Sequence, residues 1–446
     1  MTCKEKQKFR LTEIGRVPEE WSVVKLGSVS EKIFTGRDPS GGKLAHAKEL
    51  TGHRLIRSAE VFDGFLDSDM ISHIDEKTAE IVKSAEVTNG DVLLNQLGDG
   101  ITFARSCVVP VITYKAYVTR SVGVIHVNKK RLNPFFLNAY LVLPRTKQYI
   151  ESFNSGSSRR AIDGGKMKQF LIPLPNRAEQ DSVAQFYRNI QSRIELFKEQ
   201  NKTLEAFGKA FFKRWFVDFE FPNEEGKPYK SSGGEMVDSE LGEIPKGWVI
   251  QEISQFGEVV CGKTPSTTNK ENFGGDIPFI TIPDMRDRIF ITNTERSLSK
   301  KGAQTQLKKE LPTFSVCVSC IATPGLVSIT YLPSHTNQQI NSIVLVGKYL
   351  PFYLYFSLKR ISRQIILQGS GGTATLNLNK EDFSKIMMIK PSDGILRKYH
   401  DFISPFFLQI LNNQLEQSTL SEVRNFLLPR LMSGVIRVKV SESVNS

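Results

Sequence analysis

Two stretches of this 446-residue chain carry residue types spaced for chemistry. GEVVCGKT at 257–264 satisfies the pattern G-x-x-x-x-G-K-[ST], which on a suitable frame wraps backbone N–H groups around nucleotide phosphates. That chemistry needs a strand before the loop and a helix after it, so that the helix N-terminus faces the phosphates. Here the periodicity predicts a helical segment before the loop, and Pro265 followed by a Ser/Thr run comes after it. The corresponding first-half residues, EKIFTGRDPS, lack both the lysine and the hydroxyl, and no acidic strand end suited to Mg²⁺ follows. Cys317 and Cys320 form one CxxC inside the apolar run TFSVCVSCIAT. A zinc site needs a second ligand pair, and none is suitably spaced, so packing cysteines on a buried strand are expected. The histidines at 46, 53, 73, 126, 335 and 400 make no metal or triad spacing.

LNPFF at 132–136 approaches the N-P-P-[YF] pattern that holds a target base in amino-methyl transfer, but the second proline is missing. No glycine-rich cofactor loop precedes it on a strand. Asn133 and Pro134 read better as a helix start, with the amide as N-cap and the proline in the first turn. No catalytic constellation survives, and no cofactor or metal is expected in this chain. A nucleotide triphosphatase using Lys263, or a self-sufficient DNA methyltransferase around Asn133, is the disfavoured alternative.

The bulk properties point elsewhere. Lys and Arg number 59 against 47 Asp and Glu, a net charge of +12 and a pI near 9.3, which suits a polyanionic partner such as nucleic acid. Five scattered cysteines (3, 107, 261, 317 and 320) suggest reduced thiols and a cytoplasmic protein. The polar start MTCKEKQKFR is no signal peptide, and no apolar run reaches the ~18 residues of a membrane span.

Any functional side chains must be positioned by a repeated frame. Gly15, Val17, Pro18 and Trp21 match Gly242, Ile244, Pro245 and Trp248, 227 positions on. Gly36 with Pro39-Ser40 matches Gly262 with Pro265-Ser266 at an offset of 226. A heptad seam then runs through Tyr187, Ile190, Ile194, Phe197, Asn201, Leu204, Gly208, Phe211 and Trp215, with charged residues on the other faces. It returns without a gap 216 positions later, Ile194 matching Ile410, Leu204 matching Leu420 and Phe211 matching Leu427. Such repetition is read before any local motif.

Between opening motif and seam helix, each half holds short β-rich runs, a helical pattern and a Gly/Ser/Thr loop, and ends on a strand at Pro175 or Pro391. The fold expected is α/β in the mixed α+β sense: two globular domains related by tandem repeat and separated by two long antiparallel helices forming a coiled coil. The expected boundaries are a first domain over 1–175, a helix over 176–221, a flexible connector over 222–238, a second domain over 239–391, a helix over 392–434 and a poorly ordered tail over 435–446. Pro405 should kink the second helix near its start. Asn413, Gln417 and Arg424 are polar seam positions, and Asn201 occupies the place matching Gln417.

The tandem GxIPxxW-like openings, GKTPST at 262–267, NQQIN at 337–341, AEQ at 178–180, LFKEQNKTLE, FFKRWFVDFE and LLPRLMSGVI together resemble a specificity subunit of a type I restriction–modification system. The resemblance covers nearly the whole chain. It implies two target-recognition domains, each reading one half of a split double-stranded DNA sequence. It also implies a helical spacer that docks two methyltransferase subunits, joined by restriction subunits in the full complex. S-adenosylmethionine, ATP and Mg²⁺ are then implied for the partners rather than for this chain.

Loop side chains able to meet bases or phosphates are the natural DNA contacts. The first-half candidates are Arg37, Asn95, Gln96, Arg105, Arg120, Arg159 and Arg160. The second-half candidates are Lys263, Thr264, Arg286, Asn337, Gln338, Gln339, Thr373 and Thr375. Spacer packing and subunit docking are expected of Ile194, Asn201, Leu204, Phe211, Phe212, Trp215, Ile410, Gln417, Leu420, Leu427 and Leu431, with the FFKRWF end partly exposed.

Overall fold

The computed structural model describes residues 8–39, 52–156, 159–362, 365 and 378–437. The chain divides into two compact units, Met1–Glu195 with Leu420–Ser446, and Leu196–Thr419.

In the first unit, the strands Ser106–Val108, Val92–Asn95, Val122–Val127 and Ser30–Thr35 form an antiparallel sheet in that order. The second sheet runs Ser72–His73, His53–Ile56, Lys115–Val118, Glu86–Val87, its central pair parallel. The strand leaving the opening motif, Ser22–Lys25, pairs antiparallel with the closing strand Leu171–Leu174. Consecutive side chains of a strand point to opposite faces. Accordingly Val92 and Leu94 enter one core with Ile125 and Phe136, while Leu93 enters another with Val122 and Val124. A sheet covered on both faces needs apolar residues at successive positions, hence the unbroken apolar run VLL at 92–94.

The second unit repeats this plan. Its five-stranded sheet runs Gly257–Cys261, Ile340–Leu345, Val316–Ser319, Val327–Thr330, Phe290–Ile291, and Val249–Glu252 pairs with the closing strand Met387–Lys390. Val316 and Val318 face one core and Cys317 the other. The pair Ile33–Ile125 in the first unit corresponds to Val259–Ile343 in the second.

Asn133 caps the helix Pro134–Leu141 as expected, its side chain accepting from the N–H groups of Phe135 and Phe136. The stretch before GKT is not helical. Gly257–Cys261 is a strand, because its residues pair in consecutive register with Asn341–Leu345 while Val259 and Val260 fill opposite cores.

The long helices are Arg177–Phe216 and Asp393–Met432, and each contributes to both units. At 40 residues each, they are roughly 60 Å long. Within the second unit Asn201 meets Asn413, Phe207 meets Phe406, Phe211 meets Phe402 and Trp215 meets Tyr399, an antiparallel pairing. Within the first unit Gln191 meets Arg424, in the same sense. The second helix runs without interruption from Asp393 to Met432, with Pro405 inside it.

Three expectations are corrected. The run 222–238, read as flexible, is pinned: Tyr229 stacks on Phe221 at 4.6 Å, its hydroxyl donates to the Glu235 carbonyl, and Phe221 stacks on Trp248. The start of the tail is also held, since the Arg437 guanidinium donates to Glu179 and Glu20, while residues 438–446 lie outside the described residues. The FFKRWF end is not a free surface. Phe212, Trp215 and Phe216 are buried in the second unit's core with Tyr353, Tyr399 and Trp248.

Candidate nucleic-acid interface

The first unit gathers four loops around one buried dipeptide, Asn95-Gln96, at the end of the strand Val92–Asn95. The Asn95 amide donates to the carbonyls of Ser58 and Thr102, and the Asn95 carbonyl accepts from Ala104 N–H. The Gln96 amide donates to the Arg120 carbonyl at 2.7 Å, and its Oε1 accepts from the Thr35 hydroxyl. Gln96 N–H donates to the Ser121 carbonyl, and its own carbonyl accepts from Ile162 N–H. Loops 35–38, 97–105, 118–121 and 159–162 therefore hang from two residues. Asn95 is 0% and Gln96 2% exposed, so neither reaches DNA as expected; the NH₂ groups of both are spent on backbone carbonyls.

The second unit builds the same hub with Ser319-Cys320. Cys320 N–H donates to the Gln339 carbonyl and the Cys320 carbonyl accepts from Leu378 N–H, matching the two Gln96 backbone bonds. The Ser319 hydroxyl donates to the Thr323 carbonyl at 2.6 Å, as the Asn95 amide does to Thr102. Burial pushes the Cys320 thiol up to about 12, so it stays a neutral packing group. Cys317 is also pushed to about 12, and no group of three or more metal-ligating side chains occurs among the described residues.

The repeated glycines explain the loop geometry. Gly36 N–H donates to the Val122 carbonyl and Arg37 N–H to Val118, while Gly262 N–H donates to Ile340 and Lys263 N–H to Thr336. A Cβ on Gly36 would stand 2.3 Å from the Thr119 carbonyl oxygen, and one on Gly262 2.1 Å from that of Asn337. Only glycine lets the backbones approach so closely. This places Arg37 and Lys263, both exposed, at equivalent positions. It also removes the phosphate-loop reading, because the N–H groups of Gly262 and Lys263 are committed to the neighbouring backbone.

One residue further on, the loops touch. Arg120 Nε lies 2.9 Å from Asp38 Oδ2, with the Arg120 side chain 72% exposed. At the equivalent positions, the Thr264 hydroxyl donates to Gln338 Oε1 at 2.7 Å. Asn337 is buried and donates to Gln339 Oε1, closing a turn that leaves Gln338 exposed. Arg159 is exposed, whereas Arg160 pairs with Glu151 at 2.7 Å and Arg105 lies over the Phe62 ring at 5.0 Å. The tip of loop 97–105 is stiffened by Asp99, whose carboxylate accepts from Thr102 and Ile101 and is thereby held below its ordinary pKa. Arg286 is exposed on a separate turn, after the Thr281–Asp284 capping box. Thr373 and Thr375 lie outside the described residues.

Side chains missed in the sequence are Thr35, Asp38, Ser319 and Cys320. Ser319 and Cys320 lie 224 positions after Asn95 and Gln96, an offset the sequence repeat does not give, so only the matching backbone bonds pair them.

On the helices, Ile194 and Ile410 are buried, as are Phe212 and Trp215. Leu431 and Leu427 pack in the first unit, and Leu204 and Phe211 in the second; Leu420 is half-buried. Asn201 pairs with Asn413 rather than Gln417, whose Nε2 is enclosed without a hydrogen-bond partner.

Comparison with known proteins agrees with this repeated architecture. Residues 18–206 and 245–420 each match the family model described as type I restriction modification DNA specificity domain. The type I restriction enzyme HindI specificity subunit of Haemophilus influenzae is 34% identical over 94% of this chain and 100% of its own. The MjaIX specificity subunit of Methanocaldococcus jannaschii is 25% identical, over 97% of each chain. A type-I restriction-modification S subunit from M. genitalium shares the fold, with a TM-score of 0.58 at 12% identity, covering 95% of this chain and 98% of that one. With two matched segments spanning most of its length, the chain belongs to the type I restriction–modification specificity-subunit family.

Proposed function

We propose that each unit's loop cluster reads one half of a bipartite duplex sequence, and that the two long helices fix the gap between the halves. One observation carries this reading: the same four-loop frame is built twice on equivalent backbone bonds, yet presents different side chains, Arg37, Asp38 and Arg120 against Lys263, Thr264 and Gln338. A common frame with unlike tips suits two readers of unlike sequence. Helices of roughly 60 Å are long enough to serve readers on successive duplex turns, about 34 Å apart.

In this account the chain performs no catalysis. Methyltransferase subunits dock on the helices and supply the S-adenosylmethionine chemistry, and restriction subunits supply the ATP- and Mg²⁺-dependent steps. Exposed Arg37, Arg159, Lys263 and Arg286 provide phosphate contacts, so affinity should fall with salt at a log–log slope of about −0.9 per contact. The test is titration of the chain, bound to its methyltransferase subunit, with duplex DNA from about 50 to about 200 mM salt. A loss of roughly 10²-fold or more supports the reading. Salt-insensitive binding, or no association with a methyltransferase subunit, contradicts it.

A further inference from the structure

The geometry points to Arg120 and Gln338 as paired base readers, Arg120 selecting a guanine in one half-site and Gln338 an adenine in the other. This rests on the proposed function above and assigns chemistry to two side chains of that site.

The two residues occupy one structural position. Each follows the strand segment whose carbonyl, Val118 or Thr336, accepts from the N–H of Arg37 or Lys263. Each is exposed, and each is held from the facing loop by the residue two after the repeated glycine, Asp38 or Thr264. The backbone beneath each is locked as well. The Arg120 carbonyl accepts from the buried Gln96 amide, and Arg120 N–H donates to Asp38 Oδ1 at 3.1 Å. Beside Gln338, Asn337 and Gln339 close on each other, and the Cys261 thiol donates to the Gln338 carbonyl at 3.8 Å.

A long side chain on a fixed backbone, oriented by a neighbour, loses less freedom on binding than a free loop residue. A guanidinium has five donors in a planar fork. Asp38 engages Nε, leaving the terminal nitrogens to face the two major-groove acceptors of guanine, O6 and N7. The Gln338 carboxamide spends one acceptor lone pair on Thr264, keeping an acceptor lone pair and its NH₂ for the donor–acceptor pair of adenine, N6 and N7. Asp38 and Thr264 are positioning residues, acting through the reader they hold.

The test uses the purified complex of full-length chain and methyltransferase subunit on a random-sequence duplex library, with S-adenosylmethionine, followed by sequencing of the methylated molecules. Wild type should require one guanine in one half-site and one adenine in the other. Arg120→Gln should relax that guanine about tenfold or more and leave the second half-site intact, which also shows that the variant is folded. Gln338→Arg should convert the adenine to guanine and leave the first half-site intact. Asp38→Asn should relax the same guanine as Arg120→Gln. The proposal is overturned if Arg120→Gln and Gln338→Arg keep wild-type preferences, or if either weakens all sequences alike, as a phosphate contact would. A wild-type complex with no bipartite preference instead removes the underlying functional reading, and this proposal with it.

Discussion

The Asn413 amide donates to Asn201 Oδ1 at 2.9 Å across the paired long helices, with Gln409 donating in turn to Asn413 Oδ1. Asn413 is buried, so the bond fixes which residues of the two helices face each other. Asn201→Leu leaves the Asn413 NH₂ only its 3.3 Å bond to Gln200 Oε1 and should cost about 1 kcal/mol, seen as a lower Tm. Asn201→Leu with Asn413→Leu should recover most of it. A double variant less stable than either single would contradict a polar pair surrounded by apolar seam.

The loop hub gives a prediction about recognition separate from stability. Gln96→Leu keeps the volume but removes the bonds to the Arg120 carbonyl and the Thr35 hydroxyl. Recognition of one half-site should drop by about tenfold or more, while the other half-site is read as before. Binding selection on a random duplex library separates the two, and equal loss at both halves would contradict independent hubs.

Gly36→Ala and Gly262→Ala each drive a methyl group into a backbone carbonyl of the neighbouring strand. Overpacking of this kind costs typically 1–3 kcal/mol, and here backbone rather than a flexible side chain must move. Calorimetry should show a lowered Tm for each, Gly36→Ala through the first unit and Gly262→Ala through the second. Gly226→Ala, where nothing lies within 4 Å of the added Cβ but φ is +78°, should lose only the smaller cost of left-handed backbone, about 1 kcal/mol.

Burial sets the pH limits of stability. Buried Cys317 and Cys320 are raised to about 12 from 9.0, and Tyr187, Tyr355 and Tyr399 are raised as well, all chiefly by desolvation. The unfolded chain releases these protons first, so their contribution is complete below about pH 9 and falls as pH climbs from there. His335 and His400 are lowered by burial, so their contribution is complete above about pH 6.5 and is lost on acidification. Tm should therefore be highest near pH 7–8 and fall on both sides; an unchanged Tm at about pH 10.5 would contradict it.

The repeat and both long helices were legible because the 216- and 227-residue offsets and the heptad seam are one-dimensional signals. The loop cluster was legible only as a set of polar residue types. Asn95 and Gln96 look like readers because sequence does not show that Thr35, Thr102, Arg120 and Ile162 converge on them from four loops. The FFKRWF end was misread for a related reason: Phe212, Trp215 and Phe216 meet Tyr353, Tyr399 and Trp248, residues far along the chain. The segment before GKT reads as helical in sequence because two-sided burial of Gly257–Cys261 erases the alternation that marks a half-buried strand.

The central claim is that one frame, used twice, reads two half-sites at a separation fixed by the helices. It is tested most directly by mapping methylated adenines in DNA from cells that co-express this chain with its methyltransferase subunit. The account predicts two short motifs separated by a gap of constant length; one continuous motif, or two motifs at variable spacing, would contradict it.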